Sequence, residues 1–463
     1  MSIDLFKCYN CFMDYKKLEK SLKFIDSWLD FRQRQEGWWP GFAVAISYQG
    51  KIVFNKSYGF ANLEKKEKLT PQHIFRIASH SKTFTATAIM QLVEKGKIDL
   101  DDPIVKYLPW LKKHKDERFK KVTVKELLSH GAGVIRDGLD CDFWILKKEF
   151  PNRDKFEREI LAADLVFKPN KQMKYSNLGY TLLGLVIESA SGQSYEDFIV
   201  QNILEPLKLS NIGVEFKSEI EDRVVTGYAM RNSNGERLQL PNVTTNIMAS
   251  ATGFYSTSED LCKYFNAHFI GSGKLLNDES KKVMQKPIWR VKNNKAKEQY
   301  ALGLIVTPIG KRKVFGHGGG FPGQITDTLC DSENKLIVTA LTNCIDGGAN
   351  DITKGVFSVI DYFQKNYSLK SKKDLSKFEG RLINLWSIID VVSMGNKLAT
   401  VSPDVWKPFD TPEILKYVDD NTLKIIKTDG YYSEGELIHF DFDKNGKTRS
   451  VRYAGTTILP ERL

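Results

Sequence analysis

The stretch Ile77-Ala78-Ser79-His80-Ser81-Lys82 sets a serine and a lysine three residues apart at the start of a predicted helix. Residues with this spacing share one helix face, so the two side chains can meet. A serine hydroxyl becomes a good nucleophile when a base takes its proton, and a desolvated lysine is driven towards the neutral amine that can do so. Taken alone, the pattern is more typical of a helix-capping serine beside a surface lysine. Ser79 and Lys82 are therefore a candidate pair that needs support from elsewhere in the chain.

A second stretch, Lys174-Tyr175-Ser176-Asn177, comes directly before an apolar helical pattern that runs to about Ser189. A tyrosine can pass a proton between a nucleophile and a leaving group when a nearby cation lowers its pKa, and an asparagine amide can hold a substrate carbonyl. By itself, the stretch is more typical of a buried aromatic residue beside a helix start.

A third stretch, Phe315-Gly316-His317-Gly318-Gly319-Gly320, follows an apolar, strand-like run. Glycines let a substrate approach the backbone closely, and their N–H groups can stabilise an oxyanion. The alternative is a glycine-rich turn after an edge strand. Both interpretations are open for this stretch alone.

Together, in this order and spacing, the three stretches resemble the S-x-x-K, Y-x-N and H-x-G motifs of the serine β-lactamase and penicillin-binding protein superfamily. The resemblance is to the class C-like branch, which includes D-aminopeptidases, DD-peptidases and esterases. Further matches are Leu127-Leu128-Ser129-His130 and the stretch 253–261, and the resemblance covers about residues 41–362. It implies an α+β fold in which an antiparallel sheet is flanked by helices.

The resemblance also implies catalytic roles for three residues. Ser79 is expected to be the acylated nucleophile, Lys82 its activating partner and Tyr175 the proton shuttle. The implied cycle is attack by the serine, formation of an acyl-enzyme and hydrolysis by water. It needs no metal and no organic cofactor.

Four further residues are expected to bind the substrate or to form the oxyanion hole. They are Asn177, His317, Gly319 and Gly320. The resemblance implies that the oxyanion hole consists of the backbone N–H groups of Ser79 and Gly320.

His317 stands where many β-lactamases have a lysine. The pKa of histidine is ordinarily about 6.5, so His317 is expected to be mostly neutral at pH 7 and to anchor a substrate carboxylate less strongly than an ammonium group. We therefore expect a serine hydrolase acting on an ester, an amide or a D-amino-acid peptide. The alternatives are a β-lactamase or DD-carboxypeptidase and, in another class, a non-hydrolysing ligand-binding or scaffold protein that keeps the fold.

Lys168-Pro169-Asn170 departs from the family pattern, which usually has Pro-Gly before the second motif. Because asparagine tolerates the left-handed backbone conformation, we expect the turn to be kept.

The chain is expected to form two domains. Strand-like runs near both ends of the resemblance (42–54, and then 302–306, 313–315 and 336–341) enclose helical patterns, which predicts one α+β catalytic domain over 1–366 with an N-terminal helix at about 14–36. A lysine-rich linker is expected at 367–377 and a small all-β domain at 378–463. The last domain is expected to cover the active site or to mediate assembly into a homo-oligomer.

The charge of the 463-residue chain is +11, from 68 basic and 57 acidic residues. The lysines are scattered and interleaved with acids, which indicates solvated faces and argues against nucleic-acid or membrane partners. The expected partner is a small-molecule or peptide substrate. The sequence shows neither a secretory signal nor an apolar run of about 18 residues. Six cysteines are few for a chain of this length. We therefore expect a cytoplasmic location.

No metal site is expected from the sequence. Cys8-x-x-Cys11 lacks a second ligand pair at zinc-finger spacing. The stretch 441–446 imitates the start of a calcium loop, but Arg452 stands at the twelfth position, where a bidentate glutamate is required, so a hairpin turn is the better interpretation.

Overall fold

The structure is a computed structural model that describes residues 13–37, 39–370, 373–429 and 433–461. It divides into two compact units. Gly37–Thr353 form the first, here called the sheet unit, and Met1–Glu36 with Lys354–Leu463 form the second, the barrel unit. This division differs from the predicted limits of 1–366 and 378–463, because the N-terminal helix belongs with the C-terminal segment. Cys8 and Cys11 lie outside the described residues.

The α-helices vary in length from one turn to six. They are α1 (Tyr15–Glu36), α2 (Ser81–Glu94), α3 (Val124–Leu128), α4 (Arg153–Ala162), α5 (Asn177–Ser191), α6 (Tyr195–Ile199), α7 (Ala249–Thr252), α8 (Ser258–Asn266), α9 (Asp278–Gln285) and α10 (Ala349–Asn366). Within the part of the chain that the structure describes, no helix combines the length and the apolar character needed to cross a bilayer.

The strands of the sheet unit are β1 (Gly41–Tyr48), β2 (Lys51–Asn62), β3 (Glu67–Lys68), β4 (Phe75–Arg76), β5 (Gly227–Tyr228), β6 (Gln239–Leu240), β7 (Tyr255–Ser256), β8 (Trp289–Arg290), β9 (Gln299–Tyr300), β10 (Ile305–Ile309), β11 (Arg312–Phe321), β12 (Gln324–Asp331) and β13 (Leu336–Thr342). Among the described residues, nine of them form one antiparallel sheet in the order β3-β2-β1-β13-β12-β11-β10-β9-β8. In its centre β1 pairs with β13, with Val44 opposite Ala340. Strands from both ends of the unit therefore share the sheet, and the predicted α+β class is confirmed.

The glycine-rich stretch is a strand and not a turn. β11 extends through Gly316–Gly320 and pairs with β12 from Val314 to Phe321. A Cβ atom on Gly316 would lie 1.9 Å from the carbonyl oxygen of Thr328, so the missing side chain lets the two backbones approach closely. The run predicted as a strand at 302–306 begins later, as β10 at Ile305.

The core of the sheet unit surrounds α2. Almost all of this helix is buried, which is typical of a central helix and not of a surface one. Phe84 stacks on Phe254 at 4.7 Å and on Tyr264 at 3.7 Å between ring centres. These contacts fix the helix whose first turn contains Lys82 and which directly follows the turn that contains Ser79.

The barrel unit contains the predicted small all-β domain. Its strands form a closed antiparallel barrel and are β14 (Gly380–Ile383), β15 (Ile388–Ser393), β16 (Leu398–Val401), β17 (Glu413–Asp419), β18 (Thr422–Lys427), β19 (Leu437–Phe442), β20 (Thr448–Tyr453) and β21 (Thr456–Pro460). Gly446, with φ of 76°, lies in the predicted turn between β19 and β20.

Helix α1 packs within this unit through aromatic side chains. The Trp28 ring meets the Trp406 ring edge-on at 5.8 Å, and its indole N–H donates to the carbonyl oxygen of Pro403 at 3.1 Å. Phe24 meets Phe409 in the same way at 5.0 Å. These long-range contacts explain why α1 belongs to the barrel unit.

Candidate active site

Ser79 lies in a single 3-10 turn, Ala78–His80, directly before α2. It is partly exposed, whereas both neighbours in the turn are buried. Ala78 has φ of 45°, a left-handed conformation that costs a residue other than glycine about 1–3 kcal/mol and persists only where the surroundings enforce it. Ser79 is the capping residue of neither the turn nor α2. The helix-capping interpretation of this serine is therefore wrong.

Lys82 is fully buried and reaches the serine hydroxyl. Its Nζ lies 3.1 Å from Ser79 Oγ and donates to Asn177 Oδ1 and to the carbonyl oxygen of Ala251, both at 2.7 Å. Burial lowers the pKa of Lys82 well below its ordinary value, and the charge of Asp137 opposes this only in part. The site therefore favours the neutral amine, which can accept a proton from the hydroxyl.

Tyr175 contacts the same hydroxyl from another element. Its O–H donates to Ser79 Oγ at 2.8 Å, and its ring centre lies 5.0 Å from Lys82 Nζ. Burial raises the pKa of Tyr175, and this effect exceeds the opposing effects of the Ser79 hydrogen bond and the Arg136 charge. The phenol is therefore protonated at neutral pH, and the nearby cation does not lower its pKa overall.

The start of α5 fixes the position of Tyr175. The next residue, Ser176, caps this helix: its Oγ accepts from the N–H of Gly179 at 2.8 Å and donates to the carbonyl oxygen of Ile135 at 2.7 Å. On the other side, the N–H of Lys174 donates to the carbonyl oxygen of His130 at 2.8 Å. The backbone on both sides of the tyrosine is thus held in place.

Asn177 connects the lysine to a buried carboxylate. Its Oδ1 accepts from Lys82, and its Nδ2 donates to Asp137 Oδ1 at 2.6 Å. The amide that was expected to contact a substrate is thus hydrogen-bonded to protein groups on both its oxygen and its nitrogen.

His317 is buried in β11, and both of its ring nitrogens have partners. Nδ1–H donates to the carbonyl oxygen of Gly318 at 2.6 Å, so the neutral ring accepts the Tyr300 O–H at Nε2, 3.2 Å away. Burial lowers the pKa of His317 to about 3, and the charges of His80 and Lys82 add to this effect. The residue is therefore neutral at pH 7, as the sequence predicted.

Gly319 brings β11 against the turn that carries Ser79. A Cβ atom on Gly319 would lie only 2.2 Å from the carbonyl oxygen of Ile77. At Gly320 the nearest atom would be Ile325 Cδ1, at an ordinary contact distance of 3.4 Å. The third stretch thus lies beside the first, and the structure brings all three sequence motifs together.

The sequence did not single out Arg136, Asp137 or Tyr300. Arg136 Nε lies 3.0 Å from Asp137 Oδ2, and its guanidinium carbon lies 5.4 Å from the Tyr175 ring centre. These residues lie in a loop and in a short strand, where a single polar residue belongs to no sequence motif that would mark it as functional. Only the geometry of the folded chain identifies them.

His130 packs against the tyrosine and holds the backbone beside it. It has φ of 61°, and its Nδ1 accepts from the N–H of Ser176 at 3.2 Å. Its buried ring lies 4.3 Å from the Tyr175 ring and 4.6 Å from the Tyr300 ring. Asn170 has φ of 59°, so the predicted left-handed turn before the second motif is confirmed. A cluster of three or more His, Cys, Asp or Glu residues suited to a metal ion is not found among the described residues.

Comparisons with known proteins identify relatives over different parts of the chain. Protein flp of Staphylococcus aureus (strain MRSA252) is 32% identical over 199 residues, which is 43% of this chain and 40% of that protein. The chain therefore aligns with less than half the length of that relative. Teichoic acid D-alanine hydrolase of Staphylococcus aureus (strain NCTC 8325 / PS 47) is 28% identical over 356 residues, which is 77% of this chain and 82% of that protein.

A solved structure resembles nearly the whole chain. The octameric penicillin-binding protein homologue from Pyrococcus abyssi superposes with a TM-score of 0.66 at 25% identity, covering 95% of this chain and 98% of that one. The Beta-lactamase family model matches residues 30–354, which include all three motifs. The chain therefore belongs to the beta-lactamase family.

Proposed function

We propose that the protein is a serine hydrolase that works through an acyl-enzyme on Ser79 and acts on an ester, an amide or a D-amino-acid peptide. The observation that carries this proposal is the position of Ser79 Oγ, 3.1 Å from Lys82 Nζ and 2.8 Å from the Tyr175 hydroxyl. One hydroxyl thus has a base and an acid within hydrogen-bond distance, which is the arrangement that nucleophilic catalysis requires.

In the first half of the cycle, Ser79 Oγ attacks the substrate carbonyl carbon while Lys82 takes the hydroxyl proton. The lowered pKa of Lys82 supports this role, because only the neutral amine can accept a proton. When the intermediate collapses, the bond to the leaving group breaks and Tyr175 gives its proton to that group. Lys82 then returns a proton to Tyr175, and the acyl group remains on Ser79.

In the second half, a water molecule attacks the acyl carbon. Lys82 takes a proton from this water, the bond between the acyl carbon and Ser79 Oγ breaks, and Lys82 returns the proton to Ser79 Oγ. Throughout the cycle, the negative charge on the carbonyl oxygen would be stabilised by the N–H groups of Ser79 and Gly320. A single donor of this kind contributes about 3 kcal/mol in other enzymes. The close packing of Gly319 on Ile77 supports the assignment, because it holds β11 beside the serine.

The substrate preference rests on His317 and on the comparisons. A neutral, buried histidine supplies no permanent cation for a substrate carboxylate, which disfavours β-lactams and DD-carboxypeptidase substrates. The likeness to teichoic acid D-alanine hydrolase supports a D-alanine derivative as the first substrate to test.

A turnover panel tests the proposal. It compares p-nitrophenyl esters, D-amino-acid amides, D-Ala-D-Ala peptides and nitrocefin with the wild type and Ser79→Ala. We expect Ser79-dependent turnover that is fastest with an ester or a D-amino-acid amide. Nitrocefin turnover equal to the best ester turnover would favour the β-lactamase alternative. If no substrate shows Ser79-dependent turnover, the non-hydrolysing alternative is favoured.

We also propose that the barrel unit mediates self-association. Leu385 and Trp386, in the turn between β14 and β15, are 91% and 88% exposed, and large apolar side chains on a surface often mark an interface. The octameric state of the similar Pyrococcus abyssi protein supports an oligomer. Light scattering of the wild type and of Leu385→Ser/Trp386→Ser tests this, with a lower mass expected for the variant. A wild-type monomer at all concentrations would contradict it.

A further inference from the structure

Asp137 carries a buried carboxylate that the proposed cycle does not use. It lies in the loop between α3 and α4, and both of its oxygens have partners. Oδ1 accepts from Asn177 Nδ2 at 2.6 Å, and Oδ2 accepts from Arg136 Nε at 3.0 Å. Burial of a carboxylate costs free energy, which such partners offset only in part. A buried charge beside the site therefore calls for a role that it performs through these partners.

The carboxylate determines which way the Asn177 amide faces. A side-chain amide has one accepting end and one donating end, whereas an ionised carboxylate can only accept hydrogen bonds. The amide must therefore present Nδ2 to Asp137, and this turns Oδ1 towards Lys82 Nζ, 2.7 Å away. In the reverse orientation the amine would lose this acceptor.

The orientation of the amide decides where the lone pair of the neutral Lys82 amine points. A neutral amine has two N–H groups and one lone pair. The two N–H groups have acceptors in Asn177 Oδ1 and the carbonyl oxygen of Ala251, both at 2.7 Å. The lone pair is left for Ser79 Oγ, at 3.1 Å. Because this oxygen accepts from the Tyr175 hydroxyl, its own proton is available to the amine.

We propose that Asp137 is a positioning residue for this reaction: it fixes the Asn177 amide, which in turn keeps the Lys82 lone pair on the serine hydroxyl. The inference rests on the proposed function and adds to it, because it explains how the buried amine is held in the orientation of a base. Asp137 acts through two other side chains and exchanges no proton with the substrate.

The same carboxylate gives its role a pH signature through its charge. The titratable or charged groups that surround the Lys82 amine are His130, Arg136, Asp137, Tyr175, Tyr180 and His317. Burial lowers the pKa values of the two histidines and raises those of the two tyrosines, so these four side chains are neutral at pH 7. Burial also lowers the pKa of Lys82, while the charge of Asp137 opposes this and the charge of Arg136 adds to it.

The rate at which a fluorophosphonate labels Ser79, measured as a function of pH, tests the proposal. In this reaction the serine oxygen bonds to phosphorus, fluoride leaves and Lys82 takes the hydroxyl proton. The labelling rate therefore reports activation of the serine without the later steps of hydrolysis. In the wild type it should reach a plateau at high pH and fall along an acid limb, where the amine becomes protonated.

Asp137→Asn keeps the shape of the side chain, removes its charge and can present either its oxygen or its NH₂ group to Asn177. We expect a plateau rate roughly tenfold below that of the wild type, because the lone pair is less well aimed. We also expect an acid limb at lower pH, because the anion that favours the ammonium form is gone.

Arg136→Gln removes the opposite charge from an exposed side chain, so its acid limb should move to higher pH. Asp140→Asn is the matched control. It removes a carboxylate from the same loop, but this carboxylate is 44% exposed and pairs with Lys148. The control should keep the wild-type plateau and the wild-type limb.

A merely structural role predicts a lower rate at every pH with an unmoved limb, and that result for Asp137→Asn would overturn the proposal. A wild-type plateau in this variant, or limbs that move in the same direction in the two variants, would also overturn it. If Asp137→Asn does not fold, the limb of Arg136→Gln decides, and an unmoved or lowered limb counts against the proposal.

The same measurement separates this inference from the proposed function. A wild-type protein that the reagent does not label at Ser79 would contradict the proposed function, and the inference with it. Labelling that depends on Lys82 but is the same in the wild type, Asp137→Asn and Arg136→Gln would overturn the inference and leave the function standing.

Discussion

At Lys82, burial lowers the pKa and hydrogen bonds fix the amine, which supports the proposed role of this residue as a base. The ammonium form would have to be desolvated, so its pKa falls, while the contacts to Asn177 and Ala251 keep the amine aimed at Ser79. Tyr175 shows the opposite effect of the same cause, because burial raises its pKa and keeps its proton. One environment thus pushes the two pKa values in opposite directions, which is how neighbouring groups acquire separate acid and base roles.

Lys82→Ala should lower kcat/KM by about a thousandfold, because a positioned general base contributes roughly 10²–10⁴ in rate. In the wild type, activity should fall as the pH drops through the lowered Lys82 pKa, since protonation removes the base. A pH–rate profile of both proteins measures this, and the variant should lack the acid limb. Lys95→Ala, an exposed lysine that follows α2, is the control. A variant that retained wild-type turnover would contradict the role of Lys82.

At the scale of elements, the site depends on how closely β11 approaches the turn before α2. This approach exists because Gly319 has no side chain opposite the Ile77 carbonyl. The sequence identified the glycines but left two interpretations of them open: a turn, or a segment that helps to form an oxyanion hole. Pairing of β11 with β12 excludes the turn, and hydrogen bonds between strands cannot be read from a short stretch of sequence.

Gly319→Ala should lower kcat by about a hundredfold, because a shift of about 1 Å in a catalytic element has an effect of that order. The added methyl group would meet backbone at 2.2 Å, so β11 must move away from Ser79. Gly318→Ala is the control on the same strand, because its methyl group would come no closer than 3.3 Å to a neighbouring atom. Steady-state kinetics of both variants measure the difference. Equal losses would show that the close approach is not what matters.

At the scale of the whole molecule, the sequence predicted the fold class, the C-terminal all-β domain and the residues of the three motifs. Each of these has a local signature: an alternating apolar pattern or a short stretch of chemically reactive residues. The placement of α1 has no such signature, since it depends on Trp28 meeting Trp406, far along the chain. Part of the net charge of +11 lies beside Tyr175 in the folded protein. That placement has no local signature in the sequence either.

Buried histidines should make the folded protein sensitive to mild acid. Burial lowers the pKa of His80, His268 and His317 to about 3 each, whereas the unfolded value is about 6.5. As the pH falls below about 6.5, these histidines become protonated in the unfolded chain but stay neutral in the folded chain. The free energy of unfolding therefore falls. Each of the three residues should lower the free energy of unfolding by about 2 kcal/mol between pH 7.5 and pH 5.

Urea unfolding at several pH values measures this loss. His268→Gln removes one of the three groups, so its free energy of unfolding should depend less steeply on pH than that of the wild type. A stability that is flat between pH 7.5 and pH 5 would contradict the burial of these rings.

The most direct test of the account is the site of covalent modification by a fluorophosphonate. In this reaction the serine oxygen bonds to phosphorus and fluoride leaves, so the adduct marks the activated hydroxyl. Intact-mass and peptide mass spectrometry should find one adduct on the peptide that contains Ser79 in the wild type, none in Ser79→Ala, and strongly slowed formation in Lys82→Ala. A wild-type protein that stays unmodified, or an adduct on another residue that persists in Ser79→Ala, would contradict the account.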